Sequence, residues 1–330
     1  MRIVILSRFD WCMSGWHIRS ALRRLGHNCS LIKWQNRREY THDILLTDED
    51  RKGLRVDYNW LHEAQKLVDR ADVIIFKGDE PPARDIYKLR IPVTTPIAIV
   101  TSGSNFRRKA LHPTAMKAAW DFDGYKIADL RFANSAEMAY PEAGFNWMPM
   151  TIDSRKKSNR IITRKRYDQP VRIAHSPSHR GRKGTKIFLT AMAVLQAKGY
   201  NFTVDIIESK PLHFCLASKK KATLFYDQNQ VGFYGNSAIE AMQWGIPTFA
   251  WIAPAAYQQS GGILTRENNP IVDCGTDVES MVNAFEPFLT DPDLIKATSM
   301  KTKEYCDNVH SYEATGKRWE KELCAIVKQS

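Results

Sequence analysis

Short, unbroken apolar runs recur along the chain, and between them apolar residues fall at helical spacing. In the first half the runs are "RIVILS" (2–7), "CSLIKW" (29–34), "DVIIFK" (72–77), "PIAIVTS" (96–102) and "DLRFANS" (129–135). Helix-like stretches cover 15–24, closed by Gly26, then 60–68 and 116–125. Strands that are apolar throughout belong to sheets covered on both faces, and helices between them make those sheets parallel. The second half starts the pattern again with "VRIAHS" (171–176), a helix over 187–198 closed by Gly199, "FTVDIIES" (202–209), "ATLFYD" (222–227) and "PTFAWI" (247–252). The pattern predicts an α/β chain of two Rossmann-like, doubly wound domains facing across a cleft. The expected divisions are 1–155, a basic linker at 156–170, 171–310, and a terminal helix at 311–330. In that helix Tyr312, Trp319, Leu323 and Ile326 share one face.

Composition narrows the class without changing that picture. The 330 residues are 43% hydrophobic and 25% charged, ordinary values for a soluble globular protein with room for two cores. No window approaches the ~18 apolar residues of a membrane span. The first apolar core, Ile3 to Leu6, is shorter than the ~7–15 residues of a secretory h-region, so it reads as a strand. Six cysteines are scattered with no C-x-x-C pair, which argues against a zinc site or a disulfide framework and for a reduced, cytoplasmic setting. The net charge of +12 predicts an anionic partner. Segment 151–170 alone holds seven Lys/Arg against two Asp. It reads either as a solvated linker or as a contact for nucleic acid or anionic membrane, although it lacks interleaved aromatics for base stacking.

Open α/β sheets bind ligands beyond the carboxyl ends of their strands, so the residues just after each strand carry the chemistry. After the strand at 171–175 comes "HSPSHRGRKGTKIFLTAM", where Arg180, Arg182 and Lys183 precede a helix starting near Thr185. Cations beside a helix start suit a pyrophosphate, because exposed N–H groups and the helix dipole attract the same charge. His175 and His179 lie on a strand and its turn, not on one helix face, so they do not suggest a metal site. After the strand at 222–227 comes "DQNQVGFYGNSAIEAM". Gly232 and Gly235, flanking Phe233 and Tyr234, allow close backbone approach, and Asn236 or Ser237 is placed to cap the next helix. Glu240 then has two readings. With Ser237 it fits the S-x-x-E capping box, and one turn into the helix it also suits a ribose diol.

"HSPSHRGRKGT" followed by "YDQNQVGFYGNSAIEAMQWGIP" resembles the C-terminal half of group-1-type, glycogen-synthase-like retaining glycosyltransferases of the GT-B fold. The resemblance implies that Arg180 and Lys183 hold a nucleotide-sugar diphosphate and that Glu240, closing the E-x7-E pattern, binds the ribose. It also places Gly15 and the loop from Gly232 to Ser237 at the donor, and it packs the terminal helix on the first domain. "EAMQWGIP" matches the family's E-A-M-x-x-G-x-P, but the first Glu of E-x7-E falls on Gly232, with Asp227 or Gln230 as stand-ins. The implied reaction is sugar transfer with retention, without metal or cofactor, the nucleotide sugar being a co-substrate.

The acceptor is expected on the first domain, with Asp10, Trp11, Trp16, Asp79, Asn105 and Arg107 as candidate contacts. The first class of acceptor is a glycan or lipid-linked saccharide at a membrane surface. The alternative is a hydroxymethylated base in duplex DNA, as for phage DNA glycosyltransferases, which would require base extrusion. A non-catalytic nucleotide or nucleic-acid binder of the same fold is a further alternative. No stable protein partner is expected.

Overall fold

The computed structural model describes residues 1–35, 41–46, 60–78, 81–102, 123–155 and 170–328. It divides into two compact units, Met1–Thr151 with Tyr312–Ser330, and Ile152–Ser311.

The first unit is built on strands β1 (Arg2–Ser7), β2 (Asn28–Lys33), β3 (Ile44–Leu45), β4 (Val73–Lys77), β7 (Ile97–Thr101), β8 (Leu130–Ala133) and β9 (Phe145–Trp147). A separate antiparallel pair, β5 (Asp85–Ile86) and β6 (Leu89–Arg90), stands beside this sheet in the chain order. The main sheet runs β3-β2-β1-β4-β7-β8-β9 with every neighbour parallel. Its order reverses between β1 and β4, which opens a crevice at the carboxyl ends there. Ile3, Ile5, Leu31, Val73, Ile75, Ala98 and Val100 fill one continuous core, as their unbroken apolar runs require.

The C-terminal helix, Tyr312–Val327, packs on the helix Ser14–Arg24 of this unit. Trp319 and Leu323 are fully buried, and the Trp319 ring meets Phe132 edge-on at 5.2 Å. Gly316 makes this approach close. A Cβ there would lie 3.2 Å from Leu25 Cδ1 and 3.3 Å from the Ala21 carbonyl. His17 and Tyr312 (2.6 Å) tie the two helices, and His27, in the turn before β2, ties the C-terminal helix through Glu320 (2.9 Å).

The second unit has β10 (Val171–His175), β11 (Phe202–Ile206), β12 (Leu224–Gln228), β13 (Thr248–Ala250) and β14 (Val272–Asp273), all parallel, in the order β11-β10-β12-β13-β14. The reversal lies between β10 and β12. Phe188 stacks on Tyr226 at 4.5 Å and Phe249 on Phe285 at 3.8 Å, building the core between the sheet and its helices.

The first unit ends at Thr151 rather than at 155. Ile152 bridges Ser311, and its N–H donates to the His310 carbonyl at 2.8 Å, which binds 152–155 to the second unit. The short strands β3, β9 and β14 have only two or three residues, too few to register as an apolar run. Most of the helix expected at 116–125 and residues 156–169 of the linker lie outside the described residues. The helix Asp123–Lys126 begins where description resumes.

Candidate functional site

The site is built on the carboxyl ends of β10 and β12, beside the reversal in the second sheet. His175 closes β10 in full burial. Its Nδ1–H donates to the Tyr226 carbonyl at 3.0 Å, so its Nε2 accepts from the Thr185 hydroxyl at 2.8 Å. Burial lowers its pKa to about 4 and keeps it neutral. The Tyr226 hydroxyl donates to the Lys183 carbonyl at 2.8 Å. The bonds to Thr185 and Lys183 pin the end of a single helical turn, Arg180–Lys183, and its start is capped by His179 Nδ1 accepting from the Arg182 N–H. Both histidines are therefore structural.

Gly184 ends that turn and begins the helix Thr185–Ala197. Its φ of +67° favours glycine, and a Cβ there would sit 1.8 Å from Asn229 Oδ1. No side chain caps the 13-residue helix that follows, so its first N–H groups keep their attraction for an anion.

Two consecutive residues at the end of β12 organise the facing loop. Asp227 is 1% exposed at its side chain. Its Oδ1 accepts from Lys183 Nζ at 2.6 Å and its Oδ2 from the Gly235 N–H at 2.7 Å, so one carboxylate ties the cationic turn to the glycine loop. Gln228 uses its whole amide. Nε2 donates to the carbonyls of Phe233 (2.6 Å) and Trp251 (3.2 Å), while Oε1 accepts from the N–H groups of Gln230 (2.9 Å) and Val231 (2.6 Å). In the sequence Asp227 is expected only as a stand-in for the missing Glu, and Gln228 is not distinctive beyond closing an apolar run.

The loop itself is tight. Gly232 has φ +81°, and a Cβ there would lie 3.0 Å from Ala253 Cβ. The position where the family pattern has its first Glu is thus shaped for a residue without a side chain. Asp227, one stand-in for that carboxylate, is fully engaged, and Gln230 is exposed on the loop. Phe233 and Tyr234 point inward and stack at 4.1 Å, with the Tyr234 hydroxyl bonded to Tyr305 (2.9 Å) and His310 (3.0 Å). Gly235 lies against Lys183, since a Cβ there would stand 3.4 Å from its Nζ.

The helix Asn236–Met242 begins after Gly235, which is its N-cap, and no side chain caps it. The S-x-x-E capping box does not form. Ser237 and Glu240 both turn to Lys219, whose Nζ donates to Ser237 Oγ at 2.6 Å and to Glu240 Oε2 at 2.5 Å. Arg180 lies further out. Its guanidinium pairs with Glu208, which follows β11, at 2.6 Å and is 60% exposed. The structure therefore gathers Lys183, Gly184, Asp227 and Gly235 in one contact cluster. Glu240 follows Gly235 on the next helix, and Arg180 is directed to the rim.

In the first unit, Asp10 is buried and its carboxylate accepts from the N–H groups of Gly15 (2.5 Å) and Trp16 (3.1 Å). Burial pushes its pKa up, against the pull of the Lys77 ammonium and of those two N–H groups. Gly15 is required by this contact, because a Cβ would stand 2.9 Å from Asp10 Oδ1. Trp16 is half-buried beneath the Arg19 guanidinium at 4.1 Å. Trp11 opens the short 3-10 turn Trp11–Met13. Asp79, Asn105 and Arg107 lie outside the described residues.

No protein-family profile matches the chain, and no curated protein matches it by sequence. Solved structures match it end to end. HepE from Anabaena, in complex with UDP and glucose, superposes with a TM-score of 0.66 at 11% identity, over 98% of this chain and 100% of that one. Sucrose-phosphate synthase from Thermosynechococcus elongatus gives 0.64 at 12% identity over 100% of both chains. An α-glucosyltransferase in complex with UDP and a 13-mer DNA containing an HMU base gives 0.63 at 12% identity over 99% of each. The chain has the GT-B fold that these proteins share. Among the described residues, no helix is long and apolar enough to cross a membrane.

Proposed function

We propose that the protein is a glycosyltransferase that moves a sugar from a nucleoside-diphosphate sugar to an acceptor hydroxyl. The observation that carries this reading is the cluster at the β10/β12 reversal. The Lys183 ammonium, an uncapped 13-residue helix and a glycine loop meet there, with Glu240 on the helix after that loop. Lys183 and the N–H groups after Gly184 bind the diphosphate and take up the negative charge that grows on it as the glycosidic bond breaks. Asp227 holds Lys183 in place before the donor arrives, and Glu240 accepts from the ribose hydroxyls. Arg180, on the rim, meets the outer phosphate on leaving Glu208.

Transfer proceeds with retention and without a divalent metal. A double displacement needs a free carboxylate nucleophile. Asp227 is spent on Lys183 and Gly235, so the acceptor hydroxyl attacks from the face the leaving group departs. The +12 charge favours an anionic acceptor. A glycan or lipid-linked saccharide is the first reading. Duplex DNA with a hydroxymethylated base is the second, favoured by that charge and by the likeness to an α-glucosyltransferase in complex with a 13-mer DNA containing an HMU base.

The test is nucleoside-diphosphate release from a panel of nucleotide sugars with buffer, plain duplex DNA or hydroxymethyl-base duplex DNA, followed by mass spectrometry of the DNA. A hexose- or pentose-sized mass gain on the modified duplex alone establishes the DNA reading. Release that ignores DNA moves the acceptor to glycans and lipids. Tight diphosphate binding with no turnover of any donor leaves a non-catalytic binder and ends the enzymatic reading.

A further inference from the structure

Among the described residues, Lys219 is a strongly buried cation whose ammonium bonds both Ser237 and Glu240 on the helix after the glycine loop. It lies near the end of the helix Leu212–Lys220, with its side chain 3% exposed. Its ammonium bonds Glu240 Oε2 and Ser237 Oγ and stands 5.5 Å from the centroid of the Phe225 ring. Glu240 is 15% exposed at its side chain, and its Oε1 has no partner among the described residues. One oxygen of the carboxylate is thus fixed by the protein while the other is left for a ligand.

We propose that Lys219 is the positioning residue that allows Glu240 to recognise a ribose diol, making the site selective for ribonucleoside over dideoxyribonucleoside diphosphates. This rests on Glu240 being the ribose ligand. An ionised carboxylate beside a largely apolar wall turns to solvent unless a buried cation holds it. Binding a diol then costs less, because the desolvation and the side-chain ordering are already met in the free protein. Ser237 and the Phe225 face hold the ammonium on its other sides, so the pair has one geometry rather than several. Lys219 touches no substrate. It acts through Glu240.

The experiment is calorimetric titration of UDP, GDP and ADP, each against its 2′,3′-dideoxy counterpart, on the wild type, Lys219→Met and Glu240→Ala, with folding checked by thermal melts. The wild type is expected to prefer one ribonucleotide over its dideoxy form by roughly 10–100-fold, the value of hydrogen bonds to a charged group. Lys219→Met should reduce that preference to less than about threefold and leave dideoxy binding within about twofold. A folded Lys219→Met that keeps the preference, or weakens both forms equally, overturns the proposal if Glu240→Ala abolishes the preference. If Glu240→Ala keeps the preference, the ribose assignment itself falls, and wild type that binds none of the three removes the nucleotide site. Lys219→Gln keeps a donor without the charge and reports the same two outcomes if the Met variant does not fold.

Discussion

The protein builds a doubly wound sheet twice and treats the helix after each first strand in opposite ways. In the first unit Ser7 ends β1 between Lys33 and Lys77, the last residues of β2 and β4. Asp10 then folds under the next helix and takes the N–H groups of Gly15 and Trp16 for itself. To do so the chain runs Asp10, Cys12 and Met13 through left-handed φ values of +46°, +57° and +55°, at a strain of about 1 kcal/mol or more each. In the second unit, Gly184 starts the corresponding helix with no side chain at its cap. The Asp227 carboxylate holds a lysine and a loop N–H and not the helix end. One fold therefore yields one self-filled anion site and one left for a ligand. On the proposed function the second of these is the one that takes the nucleotide, an assignment that rests on these contacts and not on the fold.

The contrast can be broken in several ways. Lys183→Ala should have the largest effect, slowing sugar transfer by about 10²-fold or more, since it removes a preorganised donor to the leaving diphosphate. Steady-state nucleoside-diphosphate release measures it, and unchanged turnover would remove Lys183 from the reaction. Asp10→Ala should cost about 2 kcal/mol in denaturant unfolding, because two buried helix N–H groups lose their acceptor, while diphosphate affinity stays within about twofold. A loss of nucleotide binding in that variant would mean that both units serve the donor.

His175 sharpens the comparison through pH. Its folded pKa of about 4 lies below the unfolded value, so the unfolded chain binds its proton first as pH falls. The stability it contributes is present above pH ~6.5 and is lost on acidification toward pH ~4, amounting to about 2 kcal/mol between pH 7 and 5. Urea unfolding of wild type and His175→Asn at both pH values should show that increment only in the wild type. The smallest effect is expected from Gly232→Ala, at about 1–2 kcal/mol by thermal melting, because alanine at φ +81° is strained and crowds Ala253. A neutral result there would indicate that the glycine loop can remodel enough to carry a side chain at this position.

Much of the sheet framework was legible because buried parallel strands advertise themselves. "RIVILS" coincides with β1 from Arg2 to Ser7, and "VRIAH" with β10. The places of Lys183 after β10, and of Gly235 and Glu240 after β12, were equally readable. Their partners were not. The capping box at Ser237 and Glu240 is sound local chemistry, yet a lysine 18 and 21 residues earlier in the chain outcompetes it. That lysine is one of three in a row in "SKKKA", and nothing in their local pattern sets it apart. Only the helix orientation makes Lys219 the buried one, while Lys221 is exposed.

The sequence alone determined the longer buried strands and the helices after the first strand of each unit, where the glycine turns fall, and which cations and carboxylates follow those strands. Those properties depend on neighbours in the chain, through side-chain period, backbone freedom and burial demand. Tertiary structure decided how the charges pair. It gave Asp227 to Lys183 and Gly235, Glu240 to Lys219, Arg180 to Glu208, and Asp10 to its own helix. Each of those choices is made by groups distant along the chain or by a reversed loop. A buried charge takes whichever partner packing brings within hydrogen-bond reach, and spacing along the chain does not record that distance.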